Sequence, residues 1–152
     1  MKAEIYATAG TAEKRDFLRS LGIDRVADSR SLDFARDVMA WTGGEGVDVV
    51  LNSLAGEAIP RGMALLRPGG RFLELGKRDI LQNSPLGLQL LGRNRAFLAI
   101  DLYALARDRP EQLDHLVEQH RSVPERFTHG QPPGRTGAVG ISPRSNRWKR
   151  AE

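Results

Sequence analysis

The amino-acid sequence predicts an α/β fold built around a parallel sheet. Short apolar segments rich in strand-forming residues alternate with helical segments of about ten residues, as in consecutive β-α-β units. The segment Val47–Leu51 is almost wholly apolar, which is typical of a strand buried on both faces of a sheet. A chain of 152 residues is long enough for one domain with a buried core.

The elements follow in a regular order. The predicted strands lie at residues 3–9, 25–27, 47–51, 71–75 and 96–101. The predicted helices lie at residues 11–22, 32–41, 56–66 and 86–91, with a last helix within 110–119. Thr11 can cap the first helix through its side-chain oxygen, and Gly22 can end it. Residues 67–70 are predicted to form a turn.

A cluster of glycines, Gly43, Gly44 and Gly46, lies between a predicted helix and the strand that follows it. A phosphate-binding loop has the opposite placement, between a strand and a helix. The pattern therefore favours a helix C-cap and a turn over a phosphate loop.

The positive charge is concentrated at the C-terminal end. Residues 121–152 carry seven Arg and Lys against two Glu, and they are dense in Pro, Gly and Ser. We expect a division into a folded part, residues 1–120, and a basic tail, 121–152, without regular structure. A nucleic-acid surface would be expected on the folded part, so no nucleic-acid partner is predicted. An Arg-rich arm that binds nucleic acid is the alternative.

Other classes of site are excluded by composition. The chain has no cysteine, so it can form neither a disulfide framework nor a thiolate metal site. No apolar run approaches the roughly 18 residues that a membrane span needs, and the first residues lack the architecture of a signal peptide. We therefore expect a cytoplasmic protein with no metal and no membrane partner.

Hydroxyl and cationic side chains follow the first two predicted strands. Thr8, Thr11 and Lys14 lie near the end of the first strand, and Ser29 and Arg30 follow the second. An NAD site would place a carboxylate at this position to hold the ribose 2′-hydroxyl. Hydroxyls with two cations suit the 2′-phosphate of NADPH instead. The alternative interpretation is that Lys14 and Arg30 are unrelated surface charges.

Further polar residues follow the next strands. Asn52 and Ser53 come directly after one strand, and Gly76 and Lys77 after the next. Ligands of open α/β sheets bind beyond the carboxyl ends of the strands. A lysine beside flexible backbone at that edge can meet a phosphate, a cofactor or a carbonyl compound.

Four stretches of the sequence carry a family resemblance. They are YATAGTAEKRDFLRSLGIDRVADSRSLDFARDV, GEGVDVVLNSLAGEA, LLRPGGRFLELGKRDI and AFLAIDL. Together they resemble the enoyl reductase domain of modular polyketide synthases, within the zinc-independent, quinone-reductase-like branch of the medium-chain dehydrogenases/reductases. The resemblance covers about residues 3–119. It implies a partial Rossmann-type, doubly wound parallel sheet that lacks its first strand and glycine-rich loop.

The resemblance also implies an activity and its site. Family members use NADPH to reduce an α,β-unsaturated thioester carried on an acyl carrier protein. In this sequence the matching 2′-phosphate positions are Gly10, Thr11, Lys14, Ser29 and Arg30. The positions implied beside the cofactor are Asn52, Ser53 and Leu54, with Leu75 and Gly76 near the nicotinamide. The candidates for protonation are Lys77 and Asp101.

Other interpretations of these residues and of the chain remain open. Lys77 and Asp101 could form an ion pair with only a structural role, and Glu74 and Asp79 beside them are interpreted as a charged face. Because the first strand and its pyrophosphate-binding turn are missing, we expect the isolated chain to bind NADPH weakly and not to turn over. A non-catalytic module that dimerises through the strand near Ala96–Asp101 is the competing hypothesis.

Overall fold

The computed structural model describes residues 3–120 and 139–143. Its strands are β1 Ala3–Ala9, β2 Arg25–Asp28, β3 Val47–Asn52, β4 Leu66–Glu74, β5 Ala96–Ala99 and β6 Val139–Pro143. Its helices are α1 Ala12–Ser20, α2 Phe34–Trp41, α3 Ala58–Ala64, α4 Arg78–Leu81, α5 Leu102–Asp108 and α6 Pro110–His120, with a 3₁₀ helix at Leu88–Leu91. The predicted α/β class is confirmed.

All six strands form one sheet in the order β2-β1-β6-β3-β4-β5. The pairs β1/β2, β3/β4 and β4/β5 are parallel, whereas β6 is antiparallel to both β1 and β3. Ile141 in β6 pairs with Ile5 on one side and with Val49 on the other. Five strands therefore point the same way, and their carboxyl ends share one edge of the sheet.

The core joins the sheet to the helices that pack on it. Its fully buried large side chains include Phe34 from α2, Met63 from α3, and Val50 and Phe72 from the sheet. The ring of Phe72 stacks on that of Phe97, with centroids 5.4 Å apart, which ties the edge strand β5 to the core. Burial of each such side chain contributes about 1.5–3 kcal/mol, so the packing fixes the sheet that carries the strand ends.

Local signals in the sequence explain several boundaries. The Thr11 side chain accepts a hydrogen bond from the Lys14 N–H and so caps α1 as predicted. Gly43, Gly44 and Gly46 all have positive φ angles after α2, in agreement with the predicted C-cap and turn. At Gly46 an added Cβ would lie 2.2 Å from the Leu65 carbonyl oxygen, so this position requires glycine.

Two predicted boundaries are wrong. Strand β4 begins at Leu66 and runs through the Pro-Gly-Gly segment that was predicted as a turn, and its pairing with β3 shifts register between Val47 and Val49. Strand β5 ends at Ala99, so Asp101 precedes α5 rather than ending a strand. The helices α4 and α5 were not predicted, because each is short and has little apolar periodicity.

Strand β6 corrects the expectation for the C-terminal segment. Residues 121–152 were predicted to lack regular structure, but Val139–Pro143 form a strand between β1 and β3. That is the position of the first strand, which the sequence was expected to lack. Without β6, the facing edges of β1 and β3 would leave backbone N–H and C=O groups unpaired, which is costly. The other residues of 121–152 lie outside the described part of the chain.

Candidate functional site

A lysine–aspartate pair lies at the carboxyl edge of the sheet, beyond β4 and β5. The Lys77 ammonium nitrogen is 2.5 Å from Oδ1 of Asp101, and both side chains are about half exposed. The same nitrogen lies 5.3 Å from the ring centroid of Tyr103. The structure thus brings together the two residues that the sequence proposed for protonation, and it adds Tyr103, which the sequence did not single out.

Asp101 holds its position through the helix that follows it. Its Oδ1 accepts a hydrogen bond from the Ala104 N–H at 2.9 Å and so caps α5. The hydrogen bond from Lys77, followed by that from Ala104, lowers the pKa of Asp101. The carboxylate is therefore charged near neutral pH and can fix the Lys77 ammonium in one direction.

Glu74 lies beneath this pair and is almost completely buried, at 1% exposure. Its two oxygens accept from Nδ2 of Asn52 at 2.6 Å and from the Gly76 N–H at 2.5 Å. Burial raises the pKa of Glu74 and outweighs these two hydrogen bonds, which favour the charged form; nearby Asp79 adds to the rise. The expectation that Glu74 belongs to a charged face is wrong, because its carboxyl group connects two loops from inside the fold.

Asp79 also connects loops rather than facing solvent. Its carboxylate accepts from the Gly56 N–H at 3.0 Å, and only 14% of its side chain is exposed. The short α4 that contains Asp79 is thereby held against the segment that precedes α3. The expected charged face is therefore wrong for this residue as well.

The loop after β3 is closed by Asn52. Its side chain donates to the Leu54 carbonyl at 2.7 Å and accepts from the Leu54 N–H at 3.2 Å. Its backbone carbonyl accepts from the Leu75 N–H at 2.8 Å. An added Cβ on Gly76 would lie 2.6 Å from Glu74 Oε1, so this turn depends on glycine. Asn52, Leu54, Leu75 and Gly76 are thus close together, and Ser53 lies between the first two in the chain.

A second group of predicted residues meets at the ends of β1 and β2. An added Cβ on Gly10 would lie 3.2 Å from Arg30 Nε and 3.4 Å from Ser29 Oγ, so these three residues are close neighbours. Lys14 and Thr11 begin the helix that leaves the same turn. Thr8 differs from the prediction, because it is buried within β1 at 4% exposure rather than presented at the edge.

The carboxylate at the end of β2 is already neutralised. Asp28 forms an ion pair with Arg15 at 3.1 Å and accepts from the Arg30 N–H at 2.8 Å. Within residues 3–120, neither the Lys14 nor the Arg30 side chain forms an ion pair. The cations of Lys14 and Arg30 and the Ser29 hydroxyl are therefore left for an anion at this end of the edge. The Thr11 side chain is hydrogen-bonded to Glu13, whose carboxylate also interacts electrostatically with Arg30.

The Lys77–Asp101 pair and the residues at the ends of β1 and β2 lie on opposite sides of β6. Three strand-to-strand steps separate β1 from β4, which corresponds to about 14 Å. In doubly wound folds a dinucleotide lies across this crevice, with its pyrophosphate at the N-terminus of the helix that follows the central strand. In the described residues the central strand is the antiparallel β6, so no strand-to-helix turn faces this edge there. The described residues therefore offer a pyrophosphate no such turn.

The fold and this edge define the class to which the chain belongs. Residues 1–119 match the family described as zinc-binding dehydrogenase, and the chain belongs to that family. In the part of the chain that the structure describes, no group of three or more His, Cys, Asp or Glu could hold a metal ion. The sequence also contains no cysteine. The described residues therefore do not fit a zinc site.

Individual relatives show which members of this family the chain resembles. The chain is 50% identical over 115 residues to the phthioceranic/hydroxyphthioceranic acid synthase of Mycobacterium tuberculosis, a match that covers 76% of the chain and 5% of the synthase. It is 49% identical to the nucleotide-binding subdomain of the enoylreductase domain of PpsC from the same organism, with a TM-score of 0.69, covering 76% of this chain and 66% of that one. The CurK enoyl reductase is 41% identical, with a TM-score of 0.63, covering 77% of this chain and 35% of that one.

A mycocerosic acid synthase-like polyketide synthase of Mycobacterium tuberculosis is also similar, with 48% identity over 115 residues that cover 76% of this chain and 6% of the synthase. These matches confirm the resemblance to polyketide synthase enoyl reductase domains. The likeness to a nucleotide-binding subdomain implies a nicotinamide cofactor. The chain spans only about a twentieth of the length of the synthases that it matches. None of the described helices is long and apolar enough to cross a membrane.

Proposed function

We propose that this chain is the nucleotide-binding part of an NADPH-dependent enoyl reductase of a polyketide synthase. The observation that carries the proposal is the shared edge of the sheet. The Lys77–Asp101 pair lies at the same edge as the cluster of Gly10, Ser29 and Arg30. One end of this edge offers cations for a phosphate, and the other offers an ammonium for a reacting carbonyl compound.

The choice of NADPH over NADH rests on the ends of β1 and β2. Strand β1 ends at Ala9 and Gly10 without a carboxylate to bind a ribose 2′-hydroxyl. Asp28, at the end of β2, is paired with Arg15. Lys14 and Arg30, with Ser29, supply charge-assisted hydrogen bonds that a 2′-phosphate can accept.

In the proposed reaction, Lys77 is the proton donor. NADPH, when bound, supplies a hydride to the β-carbon of the enoyl thioester. The negative charge that develops on the thioester oxygen is stabilised by the Lys77 ammonium, which then donates its proton to the α-carbon. Asp101 orients the ammonium nitrogen, and Tyr103 limits where it can move. In this proposal Lys77 is the catalytic residue and Asp101 a positioning residue.

The partner in this proposal is an acyl carrier protein that delivers the enoyl thioester. Support comes from the synthase context of the relatives, one of which is a mycocerosic acid synthase-like polyketide synthase. The carboxyl edge is open beside Lys77, whose side chain is 43% exposed, so a substrate can approach from that side.

The antiparallel β6 predicts weak cofactor binding by the isolated chain. A bound pyrophosphate normally takes N–H groups from the turn after the central strand. Where β6 occupies that position, the residues that the structure describes hold the cofactor by its two ends only. We therefore expect NADPH binding weaker than micromolar and no oxidation of NADPH with a crotonyl thioester.

Fluorescence titration with NADPH and NADH tests cofactor choice. Lys14→Ala should weaken NADPH binding about tenfold, because it removes one charge-assisted hydrogen bond to the 2′-phosphate, and should leave NADH nearly unchanged. Arg61→Ala, an exposed cation on α3, is the matched control and should change neither.

Two outcomes would count against these proposals. Equal losses for NADPH and NADH in Lys14→Ala would remove the 2′-phosphate assignment. Micromolar NADPH binding, or turnover of a crotonyl thioester by the chain alone, would overturn the proposed weakness of the isolated site.

A non-catalytic dimerising module is the second candidate. Strand β5 is an edge of the sheet, and Leu98 on it is 43% exposed. The neighbouring Leu102 and Tyr103 are 48% and 70% exposed. An unpaired edge with apolar side chains favours pairing with a second copy. If this candidate is correct, light scattering should give twice the mass of one chain, and the fluorescence titration should show no NADPH binding.

A further inference from the structure

A cavity lies at the opposite edge of the sheet from the cofactor site. It is bordered by the amino ends of β4 and β5 and by the turn before β3, and its volume is about 410 Å³. Arg67, Arg93 and Arg95 line it, whereas Glu45 is the acidic residue in the lining. Positive side chains thus outnumber negative ones three to one. The proposed function makes no use of this cavity.

Two of the three arginines have no charged partner among the described residues. Arg67 forms an ion pair with Asp48 at 2.6 Å, so its charge is balanced. The side chains of Arg93 and Arg95 form no ion pair or hydrogen bond with any of the described residues. The Nε–H of Arg95 is also buried and finds no acceptor in that part of the chain. A buried guanidinium N–H without an acceptor is unfavourable, and an anion in the cavity would satisfy it.

The backbone holds these arginines at the cavity. Arg93 and Asn94 have φ angles of 63° and 60°, in the left-handed region that non-glycine residues rarely adopt. The Arg93 carbonyl accepts a hydrogen bond from the Gly69 N–H at 3.0 Å, which joins this turn to the first half of β4. The turn is therefore fixed next to β4, and Arg93 and Arg95 reach the same space from the chain that enters β5.

The remainder of the lining is apolar. Met39 from α2, Leu65 after α3 and Pro68 in β4 contribute to it. A bare inorganic ion would leave this surface uncovered, whereas an anion with a short hydrocarbon or aromatic group would cover it.

We propose that this cavity binds a small organic oxyanion, a carboxylate or a phosphate that carries a short apolar group. Arg93 and Arg95 donate to its oxygens, since the planar guanidinium matches the geometry of both anions. Met39, Leu65 and Pro68 contact the apolar group. The site is separate from the cofactor site, because it lies at the amino ends of the strands.

Isothermal titration of the full chain with phenyl phosphate and with hexanoate tests the proposal. At least one of these probes should bind saturably, and the tighter of them identifies the anion class. Inorganic phosphate should bind more weakly than phenyl phosphate. Arg95→Gln and Arg93→Gln should each weaken the better probe about tenfold, because each removes a charge-assisted hydrogen bond. Arg61→Gln, an exposed arginine of α3 outside the cavity, should change its affinity less than twofold.

Several results would overturn the proposal. These are the absence of saturable binding for both probes, an affinity unchanged in Arg93→Gln, and displacement of the probe by 2′,5′-ADP, which would place it at the cofactor edge. If Arg95→Gln fails to fold by circular dichroism, the exposed Arg93→Gln carries the test alone. None of these results depends on reductase activity, so failure here is distinguishable from failure of the proposed function.

Discussion

At the scale of single residues, the site depends on one buried carboxyl group as much as on its exposed lysine. Glu74 receives hydrogen bonds from Asn52 and from the Gly76 N–H, and so it links the loops after β3 and β4. Lys77 follows directly after Gly76 and reaches Asp101 from there. A change at Glu74 is thus expected to move the lysine without touching it.

The raised pKa of Glu74 predicts a pH-dependent stability. The folded state holds the Glu74 proton more tightly than the unfolded chain does, whose ordinary value is 4.5. The resulting stabilisation is complete below about pH 4.5 and is lost as pH rises through the folded pKa. Glu74→Gln cannot titrate, so its stability relative to the wild type should increase as the pH rises from 4 to 8.

Urea denaturation at several pH values measures this difference. Asp24→Asn, at an exposed position before β2, serves as the matched control for the loss of one carboxylate. A gap between Glu74→Gln and the wild type that stays constant across the range would refute a raised pKa at this position.

At the scale of elements, the sequence predicted those features that depend on neighbours in the chain. The Thr11 cap, the glycine turn after α2 and the strand β3 all follow local patterns of capping, φ preference and apolar runs. The meeting of Lys77 with Asp101 was predicted by family resemblance, because spacing alone does not show which strand ends are adjacent. Tyr103 and the burial of Glu74 were missed, since both depend on side chains that meet only after β4 and β5 pair.

The turn between α2 and β3 offers a matched pair of substitutions. Gly46 has a φ of 81°, and an added Cβ would lie 2.2 Å from the Leu65 carbonyl oxygen. Gly43 also has a positive φ, but nothing lies within 4 Å of its Cβ position. Gly43→Ala should therefore cost about 1 kcal/mol from backbone strain, and Gly46→Ala at least about 3 kcal/mol from strain plus steric clash. Chemical denaturation of both variants checks the difference, and equal losses would show that the clash is relieved at no cost.

At the scale of the whole molecule, β6 joins two halves of the sheet. It pairs with β1 on one side and with β3 on the other, and it runs against both. The sequence could not predict this pairing, because the segment has no strong strand pattern and its partners lie more than 80 residues away in the chain. The same strand occupies the position of the central strand, which a Rossmann-type fold follows with its pyrophosphate-binding turn.

A proline in β6 tests whether the strand holds the halves together. Each N–H of a central strand points to one of its two neighbours, so Ile141→Pro removes a ladder hydrogen bond and disturbs the pairing with Ile5 and Val49. We expect a loss of about 1–3 kcal/mol in the free energy of unfolding. Ile141→Val retains the N–H and should cost less than the proline variant. Equal stability of Ile141→Pro and the wild type would show that β6 contributes nothing to the fold.

In the proposed function, the ends of β1 and β2 recognise a 2′-phosphate at the carboxyl edge of the sheet. The most direct measurement compares 2′,5′-ADP with 5′-AMP by isothermal titration, since neither ligand needs the pyrophosphate turn or Lys77. Because Lys14 and Arg30 can donate charge-assisted hydrogen bonds to the 2′-phosphate, we expect 2′,5′-ADP to bind at least about tenfold more tightly than 5′-AMP. Lys14→Ala should reduce this difference in affinity. Equal affinities for the two nucleotides in the wild-type chain would contradict the assignment.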